Sequence, residues 1–148
     1  MLFGAENFEA LADQVAAVLR AKDSNLDIDV DRYRKLAAAG VLRVFTVRDG
    51  DELLGFVIFT LGMHPHHRAE LWGFANLLWI SEVDAWANFE GRPLAVHLLA
   101  HAERLLQREG IVALSATADA DEESHYIALG YEPCGVLFQA RTAPILDS

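Results

Sequence analysis

The sequence predicts a single α/β domain of the α+β type, with helices flanking a mixed central sheet. Three observations carry that prediction. The first forty residues show apolar positions at three- and four-residue spacing, which is the period of a helix face. Asp49-Gly50 then joins two runs that read as strands, a strong hairpin signal. Further on, an apolar strand, a four-turn helical pattern and a second apolar strand form a crossover unit, so those two strands should be parallel.

Taken in order, residues 6–22 read as the first helix. Phe8, Leu11, Val15 and Leu19 make its inner face, with acids early and Arg20 and Lys22 late, as the helix dipole favours. No strand is expected before Glu6. Asp23-Ser24-Asn25 breaks the pattern, and a second helix follows over residues 29–39, with Val30, Tyr33, Leu36 and Ala37 inward and Gly40 as its cap. Strands are expected over residues 41–48 and 52–61, and residues 62–67 are read as a loop. A third strand over residues 69–80 is apolar at nearly every position, as a strand covered on both faces would be. Trp72 and Trp79, seven apart, are expected on opposite faces of it. A loop over residues 81–93 precedes a helix over residues 94–108, striped by Leu94, Leu98, Ala102 and Leu105 with Ala95, Leu99 and Leu106 beside them. Gly110 ends it, and residues 111–116 form a short buried strand. Asp119 and Glu122 have the spacing of a capping box for a short helix, and a last strand is expected over residues 132–141. The order is α-α-β-β-β-α-β-α-β in one domain spanning residues 1–148, with its core at about 6–141.

Composition narrows the function. A hydrophobic fraction of 53% suits a packed globule, and no apolar run approaches the roughly 20 residues that span a bilayer. The N-terminal residues lack the basic start and apolar core of a secretion signal, and the lone Cys134 cannot form an internal disulfide, so the cytoplasm is the expected compartment. With 22 acidic residues against 12 basic ones, the net charge of −10 argues against nucleic acid as a partner and suits a cationic small molecule. No Gly-x-Ser-x-Gly elbow, phosphate-binding Walker loop or dinucleotide fingerprint is present.

The most informative stretch is Ser124-His125-Tyr126-Ile127-Ala128-Leu129-Gly130-Tyr131. Its glycine supplies the left-handed turn after a helix, and the aromatic beyond it can pack back, holding Tyr126 on one face. This octet resembles the Phe-Tyr-x-x-Leu-Gly-Phe signature of the GNAT superfamily of acyl-coenzyme A N-acyltransferases, with His125 and Tyr131 at the two phenylalanine positions. The order of elements is similar over nearly the whole chain. The resemblance implies transfer of an acetyl group from acetyl-coenzyme A (acetyl-CoA) to a primary amine of a small molecule, without nucleic acid or membrane.

It also implies where the chemistry sits. Backbone groups of Trp79, Ile80 and Ser81 would pair with the pantetheine arm as an added strand does. Glu90-Gly91-Arg92-Pro93-Leu94-Ala95 stands where the family has its pyrophosphate loop, so Gly91, Arg92, Leu94 and Ala95 are expected to meet the cofactor, as is Asp119 ahead of the short helix. Glu90 replaces the family's Arg or Gln and Pro93 its middle glycine. Those two changes keep a second reading open, a non-catalytic module that binds coenzyme A or a protein. Tyr126 would be the general acid for the leaving thiolate, and Glu70 or His66 the base, with His67, Glu82 and Asp84 as further candidates. The run His64-Pro65-His66-His67 admits a zinc reading but lacks a completing ligand motif, so no metal is expected. Trp86 with Ala85, Ala87 and Phe89 forms an apolar patch open to adenine, to the partner subunit of a homodimer, or to the core.

Overall fold

Five strands form one sheet in the order β1-β2-β3-β4-β7, with helices on both faces. The computed structural model describes residues 1–22, 30–64, 67–81, 88–116, 123–128 and 130–134. The elements are β1 (Leu2–Glu6), α1 (Phe8–Lys22), α2 (Val30–Ala38), β2 (Leu42–Asp49), β3 (Glu52–His64), β4 (His67–Ile80), β5 (Asn88–Phe89), β6 (Arg92–Pro93), α3 (Leu94–Arg108), β7 (Ala113–Ala116) and α4 (Glu123–Ala128). Neighbours in the sheet are antiparallel except β4 and β7, which run parallel across the α3 crossover.

The expected opening of the chain is corrected. Residues 2–6 form an edge strand paired with β2, and Glu6 belongs to it, not to the first helix. The strand is made by tertiary contacts: Phe3 packs on the rings of His97 and His101 of α3, while the Glu6 carboxylate grips Arg48 of β2 at 2.9 and 3.1 Å and accepts the Thr46 hydroxyl. Asn7 then caps α1, accepting the Glu9 amide at 3.2 Å.

Hydrogen bonds from Arg48, and the Thr46 hydroxyl, hold the Glu6 carboxyl below its ordinary value of 4.5, against the effect of burial. A carboxyl depressed in the folded state contributes stability above its unfolded pKa and loses it as pH falls through the folded one. Glu6→Gln should therefore be less stable at pH 7, by about 1 kcal/mol for a partly screened pair. The gap should close in acid, once pH has fallen through the folded-state pKa and the carboxyl has taken up its proton. Urea titrations at pH 7 and in acid check this; a gap that persists in acid would mean that shape, not charge, is what the variant loses.

Two apolar layers sandwich the sheet. Phe8, Leu11, Ala12 and Val15 of α1, with α2 residues beside them, cover Val44, Phe56 and Ile58. On the other face Leu94, Ala95, Leu98, Leu99, Ala102 and Leu106 of α3 cover Phe45, Val47, Val57 and Phe59. β3 is thus buried on both faces from Leu54 to Phe59, which makes it the continuous apolar strand that the sequence suggested for β4. β4 is covered less: Leu71 is 45% exposed, and Trp72 and Phe74 are half-buried.

The face assignment of the tryptophans is also corrected. In β4, Ala75 pairs with Phe59 and Leu77 with Ile58, so Asn76 is an extra residue, a β-bulge. The bulge resets the alternation. Trp79 joins the α1/α2 layer, and Trp72 lies on that same face, opposite to Gly73, whose missing Cβ would meet Leu106 of α3. Residues 62–64, read as loop, extend β3, and residues 67–68 extend β4. The last predicted strand is not seen at residues 131–134, and residues 135–141 lie outside the described ones.

Candidate functional site

Tyr126 is held by the way α4 stops. The Tyr131 amide donates to the Tyr126 carbonyl at 3.0 Å and the Gly130 amide to the Ile127 carbonyl at 3.0 Å, the paired bonds of a Schellman stop. Gly130 has φ 92°, a conformation that costs glycine little. The same paired bonds close α2 at Gly40-Val41 and α3 at Gly110-Ile111. In α4 the residue after the glycine is aromatic, so the stop also brings a ring back: Tyr131 stands edge-on to Tyr126, ring centroids 5.1 Å apart.

Tyr126 is 6% exposed and lies in the α3-side layer with Ile80, Leu94, Ala95 and Leu98, at whose margin sit Ala75, Leu78 and Ala116. The Tyr131 hydroxyl is buried with no hydrogen-bond partner among the described residues. Burial pushes its phenol far above the ordinary tyrosine range, with Glu103 and Tyr126 adding to the effect, so it stays protonated.

The described pairs of the two parallel strands end in the layer that holds this tyrosine. β4 and β7 pair from Trp72–Ala113 to Ala75–Ala116, and the next β4 residue is the bulged Asn76. A bulge bends and twists its strand, so β4 changes direction just beyond its described pairs with β7. Beyond it, residues 77–80 bond to β3 on one side only among the described elements.

Strand geometry selects among the residues proposed for backbone pairing. The Ser81 amide is spent on the Leu54 carbonyl at 2.8 Å, which corrects its assignment to the free edge. Alternation then turns the Trp79 backbone toward β3 as well and leaves the groups of Ile80 and Leu78 on the open side. The Trp79 ring meets Phe56 at 5.7 Å, a core contact. Leu78 was missed by the sequence reading, and Asn76, the one polar residue among residues 71–80, was the signal for it.

The approach to α3 is a two-residue hairpin. Asn88 pairs with Pro93 and Phe89 with Arg92, and the tip residues Glu90 and Gly91 have φ 51° and 83°, as a type I′ turn requires. Glu90 is therefore exposed at the tip. Pro93 is the N-cap of α3 and provides no side-chain cap, and no acid lies in the first turn. The amides of that turn have no partner within the helix, and the helix dipole favours an anion there. Leu94 and Ala95 are buried as whole residues, 2% and 0% exposed. Arg92 is exposed beside them, and a Cβ at Gly91 would meet nothing within 4 Å. These groups fit an anionic diphosphate.

Glu70 accepts the Trp72 indole N–H at 3.2 Å. Five residues separate it from Ala75, about 16 Å of extended strand, so it is not brought together with Tyr126. His66, Asp119, Glu82, Asp84 and Trp86 lie outside the described residues, as do the side chains of His64 and His67. Among the described residues no cluster suits a metal, and no helix is long and apolar enough to cross a membrane.

No protein-family model and no curated protein matches the sequence. Solved structures match its fold. An aminoglycoside acetyltransferase from an uncultured soil metagenomic sample, in complex with sisomicin, superposes with a TM-score of 0.74 at 13% identity, over 96% of both chains. A ribosomal-protein-alanine N-acetyltransferase from Brucella melitensis biovar Abortus 2308 gives 0.71 at 15% identity, over 96% of this chain and 100% of the other. A predicted acetyltransferase from Clostridium acetobutylicum, with acetyl-CoA, gives 0.71 at 10% identity, over 95% and 96%. Identities this low carry the architecture and not the substrate. The chain has the fold of the GNAT superfamily of acetyltransferases.

Proposed function

We propose that this protein transfers the acetyl group of acetyl-CoA to a primary amine of a small molecule. The observation that carries the reading is the bulge at Asn76, which bends β4 just past its Ala75–Ala116 pair with β7, in the layer that holds the buried Tyr126. The free backbone of Leu78 and Ile80 would take the pantetheine arm as an added strand. The first-turn amides of α3, with Arg92 beside them, would hold the diphosphate. Glu90, at the exposed tip of its turn, leaves that path clear.

Acetyl-CoA supplies the activated acetyl thioester. Tyr126 stands ready as general acid for the sulfur that leaves, its phenol held in place by the stop of α4. The apolar layer around it excludes water from the thioester carbonyl. The proton of the attacking amine passes to water or to one of His66, Glu82 and Asp84, which lie outside the described residues, while Glu70 lies about 16 Å along β4 from Ala75. A net charge of −10 favours the approach of a cationic acceptor.

Calorimetry and thermal shift with acetyl-CoA test the reading. A ligand bound at 100 times its Kd raises stability by about 2.7 kcal/mol, so a clear rise in melting temperature is expected. No shift at millimolar acetyl-CoA would end the proposal. A shift without turnover across an amine panel would instead support a coenzyme A-binding module.

A further inference from the structure

β1 is held at the sheet edge by one clamp on each face. It has five residues and pairs with β2 alone, so its docking rests on side chains as much as on backbone. On the α1 face the Glu6 carboxylate binds Arg48 and the Thr46 hydroxyl, and Arg48 also bonds Gln14 of α1 at 3.3 Å. On the α3 face the clamp is aromatic. The His101 ring meets Phe3 of β1 and Phe45 of β2, with centroids 5.7 and 6.4 Å away and interplanar angles of 42° and 85°. Phe3 also meets the ring of His97, one turn earlier on α3, at 6.4 Å.

The His101 imidazole sits where a charge is costly. Its Nε2 is buried and has no hydrogen-bond partner among the described residues. A protonated ring carries an N–H on both nitrogens, so protonation buries an unpaired, charged donor. Arg104 and Arg108, further along α3, add like charge, and among the described residues no carboxylate offsets them. Glu6 lies on the other face of β1, and Glu109, past the end of α3, is bound to Arg43 of β2. Burial first, then the two arginines, hold the imidazole below its ordinary value of 6.5.

We infer that β1 is a proton-operated latch: the neutral His101 ring holds the strand shut, and protonating it frees residues 2–6 from the sheet edge. The latch does not depend on the transferase reading. An open strand leaves the imidazole in water, where it takes a proton at its ordinary value, whereas the docked strand resists that proton. Docking is therefore at full strength above about pH 6.5 and weakens as pH falls from there through the docked-state pKa. The Glu6 clamp works in a lower window, since its carboxyl is held below 4.5 and keeps its charge until that point is passed. As acid is added the aromatic clamp lets go first. Opening uncovers β2 over residues 44–48 and leaves an unpaired edge there.

Amide hydrogen exchange of the whole chain, expressed as protection factors at pH 7.5 and pH 5.0, tests the latch. Residues 2–6 should be less protected than β3 at both values. Their protection should fall roughly 10-fold at the lower one, the effect of one unpaired buried donor. His101→Phe keeps a ring against Phe3 and Phe45 and removes the proton site, so protection should be nearly equal at the two values. His97→Phe should keep the fall. Glu6→Gln should lower protection at both values and keep the ratio between them.

Equal protection of residues 2–6 at the two values in the parent chain, or a fall that persists in His101→Phe, would overturn the latch. So would exchange no faster than that of β3 at pH 5.0, because the strand would then open only with the whole domain. Should His101→Phe not fold, Phe3→Ala supplies a second measurement. It uncovers the imidazole, so the His101 ring, followed by nuclear magnetic resonance, should titrate at higher pH than in the parent chain. An unchanged titration would mean that Phe3 does not control the proton, and the latch is lost.

Discussion

Tyr126→Phe is expected to lower kcat by roughly 10²–10⁴-fold while leaving acetyl-CoA affinity nearly unchanged. The ring is what packs: it sits 6% exposed against Tyr131 and the α3-side layer, and phenylalanine keeps that shape. The stop of α4 is made by backbone groups, so it survives as well. Stability should fall by no more than one hydrogen bond, roughly 0.5–1.5 kcal/mol. Only a step that needs the phenolic proton is lost. Steady-state rates with a competent amine, read beside a calorimetric Kd for acetyl-CoA, check the pair of expectations. Equal kcat in the two proteins would take Tyr126 out of the mechanism and leave the thiolate to depart unassisted. A parallel loss of cofactor affinity would mean that the hydroxyl positions the ligand.

What was legible in the sequence is what local chemistry decides. Residues 94–108 read as a helix and are α3 to the residue, because the apolar stripe, Pro93 before it and Gly110 after it all act within a few positions. The stop at Gly130-Tyr131 was legible for the same reason, and with it the placing of Tyr126. β1 was not. Leu2 to Glu6 is short, holds a glycine and has no alternation of its own; its strand comes from pairing with β2 and from Phe3 on α3. Leu71 to Ile80 is apolar but for Asn76, so a shift of alternation inside it leaves no periodic trace beyond that one polar residue. The bulge at Asn76 became visible only through its pairing with β3, and with it the common face of Trp72 and Trp79. The half-buried state of Trp72 and Phe74 was likewise hidden, since tertiary packing and not the local sequence decides how far a strand face is covered.

Deleting Asn76 is expected to weaken acetyl-CoA binding by roughly 10–100-fold, the worth of two or so hydrogen bonds at about 0.5–1.5 kcal/mol each. A one-residue deletion in a strand ordinarily throws every later side chain to the wrong face. Here it does not. Ala75 already pairs with Phe59 and Leu77 with Ile58, so removing the extra residue leaves Leu77 and Trp79 on the α1/α2 face and Leu78 and Ile80 on the α3 face. The layers stay filled, and far-UV circular dichroism and a cooperative melt should persist. What goes is the local bend. A straightened β4 would run on alongside β7, and the backbone of Leu78 and Ile80 would no longer stand open beside Tyr126. Asn76→Ala is the control, since it keeps the extra residue and removes only the amide bonds to Thr60 and the Phe74 carbonyl, both 3.0 Å. That variant should bind acetyl-CoA nearly as the parent does. If the deletion binds equally well, the bulge is not what opens the wedge. If the deletion loses its cooperative melt while the alanine variant keeps it, the extra residue serves the packing of the sheet, and the case for the wedge must rest on β7 alone.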